Sequence, residues 1–360
     1  ISGKFAFLEP DDVSIPVDIF IPKEALNNAK NGQKAIARLT DWPEQSKNPF
    51  GEISQVLGDP GNNDVEMNSI LASFDFPLQF NPQTMKEAEN IPVVISQEEV
   101  EKRRDFRQDW TCTIDPPDAK DFDDALSLKK LENGKWEVGV HIADVSHYVI
   151  PGTAIDKEAY DRGTSIYLVD RTIPMLPEKL SNMVCSLRPD EDKLCFSAVF
   201  IMDDNAEISD EWYGKTIIRS NRRYNYEEVQ VMIEGGEGDF KAELMILNDL
   251  AFRLREERFK KGSIAFHSQE VKFVLDEKGK PIDTFIKEQK EANMLIEDFM
   301  LLANRRVAEK IGRKTGEQKP KTFVYRIHDE PNQEKLQKFS EFVAKLGYKM
   351  NTGSRKGLAK

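Results

Sequence analysis

The sequence predicts two domains of different class, a small all-β barrel over residues 1–94 and a mixed α/β domain over residues 95–360. Three observations carry that expectation. A length of 360 residues suits two or three separate cores. Residues 1–90 are filled by short alternating apolar runs set between turns. After residue 95 the period changes, and strand-like runs alternate with long amphipathic segments.

In the first domain, residues 4–8 alternate so that Phe5 and Phe7 share one face, and Pro10, Asp11 and Asp12 make a turn. Residues 18–22, 34–39 and 51–57 supply three further strands, the last two separated by a loop over 43–49. Residues 58–98 read as a connector, turn-rich at first and then helical up to Asn81-Pro82. Ser96 followed by Glu99 is a capping box, expected to open a helix over 98–106.

The clearest strand of the second domain covers 136–145, with Val138, Val140 and Ile142 on one face and Gly139, His141 and Ala143 on the other. Residues 196–202 and 271–275 are expected to form a strand pair. Helices are expected over 154–162, 226–233, 241–261, 290–311 and 332–346. In the last, Leu336, Phe339, Phe342, Val343 and Leu346 make an apolar stripe.

A formal net charge of -12 argues against a protein that holds nucleic acid by bulk charge. Three cysteines, Cys112, Cys185 and Cys195, form no C-x-x-C pair and leave one over in any disulfide scheme, which points to a reducing cytoplasm. No apolar run is long enough for a membrane span, and the first residues lack the pattern of a signal peptide. The chain starts at Ile1 without methionine and stops at Lys360 in a Gly/Lys-rich stretch, so a piece of something longer is expected.

The chemistry concentrates in one run. Asp115, Asp118, Asp121, Asp123 and Asp124 stand against the single Lys120, five negative charges and one positive, a formal -4. Such crowding calls for a hard divalent cation, Mg²⁺ with Mn²⁺ as the alternative, and Mg²⁺ held by a few carboxylates suits phosphate chemistry. Pro116 and Pro117 make the first half a loop. On a regular strand Asp123 and Asp124 would face opposite ways, so a shared ion demands an irregular chain there. A solvated acidic loop and a calcium-binding turn are the plain alternatives, and an EF-hand lacks its glycine and closing glutamate.

The acidic run, Val140-His-Ile-Ala-Asp-Val-Ser-His-Tyr148, Arg162-Gly-Thr-Ser-Ile-Tyr167 and Ile173-Pro-Met-Leu-Pro177 follow one another in that order. Together they resemble the catalytic RNB domain of the ribonuclease II family, nearest in kind to its bacterial members, over about residues 95–350. Residues 3–8, the Asp11-Asp12 turn and Asp18-Ile-Phe20 are similar to the cold-shock type of OB-fold. The implied architecture is a cold-shock-like OB barrel followed by a mixed α/β RNB-type domain incomplete at its C-terminus.

The resemblance implies a 3′-to-5′ exoribonuclease that degrades single-stranded RNA processively to nucleoside 5′-monophosphates with Mg²⁺. Its metal-site aspartates fall on Asp115, Asp121, Asp123 and Asp124, with Asp123 foremost in the chemistry and Asp118 outside the set. Two ions roughly 4 Å apart would clamp the scissile phosphate. Tyr167 and Phe266 match aromatics that clamp the terminal bases, and Glu297 matches a helix glutamate near the last nucleotide. Phe5, Phe7 and Phe20 match base-stacking positions, although filling the barrel remains open as their other role. His141 and His147 read as structural histidines, while Arg326, His328 and Asp329 lie in a shared segment with no role assigned. A later Thr-Ser-Pro-Ile-Arg-Arg-Tyr segment and an S1 domain, present in family members, are not in these 360 residues, so weak or absent activity is expected of them alone. Protein partners are unknown. A non-catalytic RNA-binding or chaperone protein, and hydrolysis of DNA or small phosphodiesters, are the competing readings.

Overall fold

The computed structural model describes residues 1–263, 270–277, 279–313, 319–327 and 331–350. Along the chain come β1 (Phe5–Leu8), β2 (Ile19–Pro22), β3 (Lys34–Asp41), β4 (Phe50–Gly58), α1 (Asn63–Ser73), α2 (Pro82–Glu89) and α3 (Gln97–Glu101). Strands β5 (Arg104–Asp105), β6 (Trp110–Asp115), β7 (Asp124–Lys130) and β8 (Trp136–Ala143) precede α4 (Val145–Tyr148) and α5 (Ala154–Arg162). Then follow β9 (Ile166–Tyr167), β10 (Thr172–Ile173), β11 (Asp192–Met202), β12 (Ile208–Arg219), β13 (Arg222–Asn225), α6 (Tyr226–Ile233) and α7 (Lys241–Lys260). The hairpin strands β14 (Glu270–Leu275) and β15 (Pro281–Lys287) lead to α8 (Glu291–Gly312) and α9 (Gln333–Lys345).

The chain divides into two compact units. The first unit gathers Ile1–Glu87, Pro151–Pro177 and Lys272–Phe285. Its OB-like sheet has the order β1-β2-β4-β3. Ala6, Ile21 and Ile53 form the buried side of that sheet. Since side chains alternate along a strand, Phe5, Phe7 and Phe20 stand on the other side. Phe7 pairs in register with Phe20, and Phe20 with Phe50, so the rings make a row across three strands. Ring centroids are 5.9 Å apart for Phe7 and Phe20 and 4.9 Å for Phe20 and Phe50. The row therefore does not fill the core.

The second unit gathers Ala88–Ile150, Glu178–Val271 and Ile286–Lys360. A seven-stranded sheet, β13-β6-β7-β8-β11-β12-β5, is antiparallel between neighbours except for the parallel pairs at its two edges. One face buries Ile114, Leu126, Val138, Val140, Phe200 and Tyr224 with Leu247, Leu250, Leu295 and Phe299 of α7 and α8. The other face carries a polar ladder. His141 Nε2 lies 2.9 Å from Ser127 Oγ and its Nδ1 2.7 Å from Ser197 Oγ, and Ser197 Oγ reaches Thr216 Oγ1 at 2.5 Å. All four are buried on adjacent strands. Burial lowers the imidazole to about 3, so His141 is a neutral, satisfied structural residue. His147 Nδ1 sits 3.6 Å from Glu99.

Capping explains the helices that matched expectation. Asn225 Oδ1 accepts from the Glu228 amide while Glu228 accepts from the Asn225 amide, fixing the start of α6. Thr153 caps α5, and Gly163, at φ 70°, ends it. Two expectations need correction. The helix opened by Ser96 stops at Glu101 rather than 106, because Arg104 and Asp105 pair with β12 and Phe106 is buried. Residues 196–202 and 271–275 do not pair with each other. The former lies within β11 between β8 and β12, and the latter within β14, which pairs with β15. The stripe of the last helix stands on α9, none of whose residues is buried. Among the described residues no helix is long and apolar enough to cross a membrane.

Candidate active site

The acidic loop joins β6 to β7. Pairing of these strands ends at Cys112 and Leu126, so their loop ends are free of each other's ladder. Asp115 closes β6 and lies in register with Asn225 of the parallel edge strand β13. Asp124 opens β7 opposite Ile142, and Asp123 precedes it with its carbonyl accepting from Ala143 at 2.9 Å. Asp123 and Asp124 thus both stand at the entry of the β7–β8 ladder.

The loop is held from two sides. Ser186 Oγ accepts from the Phe122 amide at 3.0 Å and donates to the Lys120 carbonyl at 3.2 Å, and the Leu187 amide donates to the Phe122 carbonyl at 2.8 Å. From the sheet edge, Arg223 Nη2 donates to the carbonyls of Pro116 and Pro117, with its guanidinium 5.4 Å from the centre of the Phe122 ring. Carboxylates on such a loop are positioned by non-acidic neighbours.

Electrostatics join the carboxylates to one another. Burial, then the charge of Asp124, pushes the Asp115 carboxyl up to about 7, against the opposing influence of the Thr113 hydroxyl and then of Arg223. Burial, then Asp123, raises Asp124 to about 6. Asp123 is exposed as a whole residue, yet desolvation of its carboxyl and then Asp121 raise it too. Asp115 is 9% exposed, and its Oδ2 has no hydrogen-bond partner among the described residues. A buried, unpartnered oxygen among mutually repelling carboxyls fits a divalent cation. Among the described residues, however, no three His, Cys, Asp or Glu side chains are already gathered as a metal cage.

The remaining expected residues are distributed. Asp118 is exposed. Glu297 is exposed on α8 and accepts from Gln289 at 2.8 Å, with no described bond to the four aspartates. Tyr167 belongs to the first unit, on β9 beside Thr172 of β10, and is 70% exposed rather than buried. Phe5, Phe7 and Phe20 share that unit. Phe266, His328 and Asp329 lie outside the described residues, while Arg326 is exposed. Sequence reasoning missed Arg223, Ser186 and Tyr226. Burial, then the charges of Asp124 and Asp115, pushes the Tyr226 hydroxyl up to about 12. It also missed Phe50, the end of the aromatic row.

Comparison with known proteins gives a consistent set of relatives. The RNB domain matches residues 103–360 and the cold shock domain residues 7–81. Ribonuclease R of Thermotoga maritima is 38% identical over 353 residues, covering 96% of this chain and 49% of the relative. The structure of Mycoplasma genitalium RNase R in complex with double-stranded RNA superposes with a TM-score of 0.84 at 26% identity, covering 96% of this chain and 62% of that one. Yeast Ssd1, described as a pseudonuclease, shares the fold with a TM-score of 0.72 at 22% identity, covering 98% and 44% of the two chains. The chain spans about half the length or less of the curated relatives it matches.

Proposed function

The chain belongs to the RNB-domain family, and from that premise we propose that it carries the catalytic centre of a 3′-to-5′ exoribonuclease acting on single-stranded RNA. The observation that carries the reading is the set of coupled, partly buried aspartates at the open end of β6 and β7. Asp115, Asp121, Asp123 and Asp124 would hold Mg²⁺, and with it come water activation and neutralisation of phosphate charge. Asp123 is the carboxylate closest to the chemistry, and the other three mainly fix the ion's position. Ser186 and Arg223 orient the backbone of the loop that carries these carboxylates. Burial around Asp115 and Asp124 strengthens every charge interaction there.

Processive release of nucleoside 5′-monophosphates follows if the RNA is held at more than one place. Tyr167, Phe266 and Glu297 are assigned to the terminal nucleotides, and Phe5, Phe7 and Phe20 to upstream bases, each base stack contributing about 1–3 kcal/mol. Residues 1–94 then act as the RNA-binding part and 95–360 as the catalytic part. Three buried free cysteines suit a reducing cytoplasm.

A non-catalytic RNA-binding protein is the second reading, favoured by the lack of a gathered three-ligand cage among the described residues. The deciding test is Mg²⁺-dependent release of nucleoside 5′-monophosphates from single-stranded RNA by the chain and by its Asp123→Asn form, at protein concentrations that register slow turnover. Equal release by both overturns the assigned centre. RNA binding with no release by either supports the second reading.

A further inference from the structure

A polar cavity of about 370 Å³ opens at the β13 edge of the second unit's sheet, lined in part by Asp190, Asn221, Arg222, Arg223, Asn225 and Glu228. It adjoins the acidic loop but belongs to none of its carboxylates. Arg223 and Asn225 lie in register with Thr113 and Asp115 of the parallel strand, which puts them on the same face of the sheet. Arg223 is the shared member, lining the cavity and holding Pro116 and Pro117.

The donors and acceptors of the cavity are unequally used. Asn221 Oδ1 accepts from the Thr111 amide, and Asn225 Oδ1 accepts from the Glu228 amide. Both amides therefore keep their Nδ2 donors, which bond to nothing among the described residues. Glu228 is committed to the Asn225 amide and, at 3.4 Å, to Arg222. Arg223 makes its described hydrogen bonds only to prolyl carbonyls, has no ion pair among the described residues although Asp115 feels its charge, and its Nε is buried without a partner. Asp190, held at φ 62° with its amide on the Ser220 carbonyl, has a carboxylate with no described hydrogen bond or ion pair.

Among the described residues the cavity thus offers one guanidinium with a spare buried Nε and no ion pair, two unused amide donors and one carboxylate with no bond. A bare inorganic anion would use the donors and be repelled by Asp190. A neutral sugar would leave the guanidinium unmatched. The geometry points to a ribonucleotide subsite, with the phosphate taken by Arg223 and the asparagine amides and a ribose hydroxyl donating to Asp190. This rests on the exoribonuclease reading for its relevance and not for its test. Because Arg223 also braces the acidic loop, occupation of the cavity by a phosphate couples directly to the metal carboxylates.

The test is binding in the presence of a chelator, where no turnover enters. Uridine 5′-monophosphate, its 2′-deoxy analogue, inorganic phosphate and an oligouridylate are titrated onto the whole chain while backbone amide resonances are followed. Uridine monophosphate is expected to move the signals of residues 221–225 and 190. Arg223→Gln is expected to weaken uridine monophosphate and phosphate about tenfold or more, the loss of charge-assisted bonds. Asp190→Asn, which removes no described bond to the acidic loop, is expected to erase any preference for the ribonucleotide over its deoxy analogue. Loss confined to the oligouridylate in Arg223→Gln assigns the cavity to an RNA strand, and loss confined to the monophosphate assigns it to the released product. Unmoved signals at 221–225, or binding indifferent to both substitutions, overturns the subsite. Mg²⁺-dependent mononucleotide release persisting in that case leaves the catalytic reading intact, so the two failures are distinct.

Discussion

Arg223 Nη2 donates to the Pro116 carbonyl at 2.6 Å across 107 residues of sequence, hanging the first turn of the acidic loop from the edge strand β13. A lysine keeps the charge but cannot span both prolyl carbonyls or lie flat near Phe122. Arg223→Lys is expected to raise the Mg²⁺ concentration for half-maximal RNA cleavage about 10-fold to 100-fold, as loss of groups that orient metal ligands does. Cleavage measured against Mg²⁺ concentration checks this, and an unchanged midpoint contradicts the bracing role.

The raised carboxyls set a pH dependence with a definite sign. Asp115 and Asp124 titrate near 7 and near 6 in the folded chain, against 3.8 ordinarily, so the folded state keeps protons that the unfolded state loses. Metal-free stability from this source is greatest at low pH and declines as pH rises from about 4 to about 7. His141 acts oppositely. Lowered to about 3, it contributes fully above its ordinary 6.5, and that contribution is lost as pH falls towards 3. Mg²⁺ requires ionised carboxyls, so thermal melts are expected to show a gain of several degrees from Mg²⁺ at about pH 8 and almost none at about pH 5. Equal gains at both would contradict the site.

Asp124→Asn removes one of the opposed charges. In chelator at about pH 8 it is expected to stabilise the chain by roughly 1–3 kcal/mol, while abolishing most Mg²⁺-dependent cleavage. A urea titration gives the first quantity. Destabilisation instead would mean that Asp124 has a structural role in β7.

Gly139 is required by the ladder. A Cβ there would stand 2.4 Å from Ser127 Oγ and 2.5 Å from His141 Nε2. Gly139→Ala is expected to cost about 1–3 kcal/mol by overpacking. His141→Leu is expected to cost roughly 2–4 kcal/mol, since the hydroxyls of Ser127 and Ser197 lose a buried partner. Melts of each variant decide both, and losses within experimental error would refute the steric and polar accounts.

The aromatic row is testable by itself. Phe7→Leu, Phe20→Leu and Phe50→Leu are each expected to weaken single-stranded RNA binding roughly 5-fold to 150-fold, with Phe7, 49% exposed, most affected in binding and least in stability. Fluorescence anisotropy with labelled RNA measures it. Stability losses without binding losses would return the rings to a packing role.

Local chemistry was legible and long-range pairing was not. The expected bounds of α5 and α6 match the structure, where Thr153 and Asn225 cap them, and β1 to β4 lie close to the runs expected from alternation. By contrast β12, Ile-Ser-Asp-Glu-Trp-Tyr-Gly-Lys-Thr-Ile-Ile-Arg, has no buried residue in its first half, and its apolar alternation is blurred there. The five aspartates announced themselves by charge density. Arg223 and Tyr226 reach them only because β13 pairs in parallel with β6, and no spacing rule in the sequence carries that register. Phe50 was hidden likewise, since its place in the row depends on β4 lying beside β2.

The buried line from Ser127 through His141 and Ser197 to Thr216 has a bearing on descent. Each member satisfies its neighbour, and Gly139 is small because two of them are large or near. A change at one position strands the next, whereas a concerted exchange of the layer for apolar groups of matching volume restores packing. Viable substitutions along this line are therefore expected to be correlated, so the layer drifts as a block across generations rather than residue by residue.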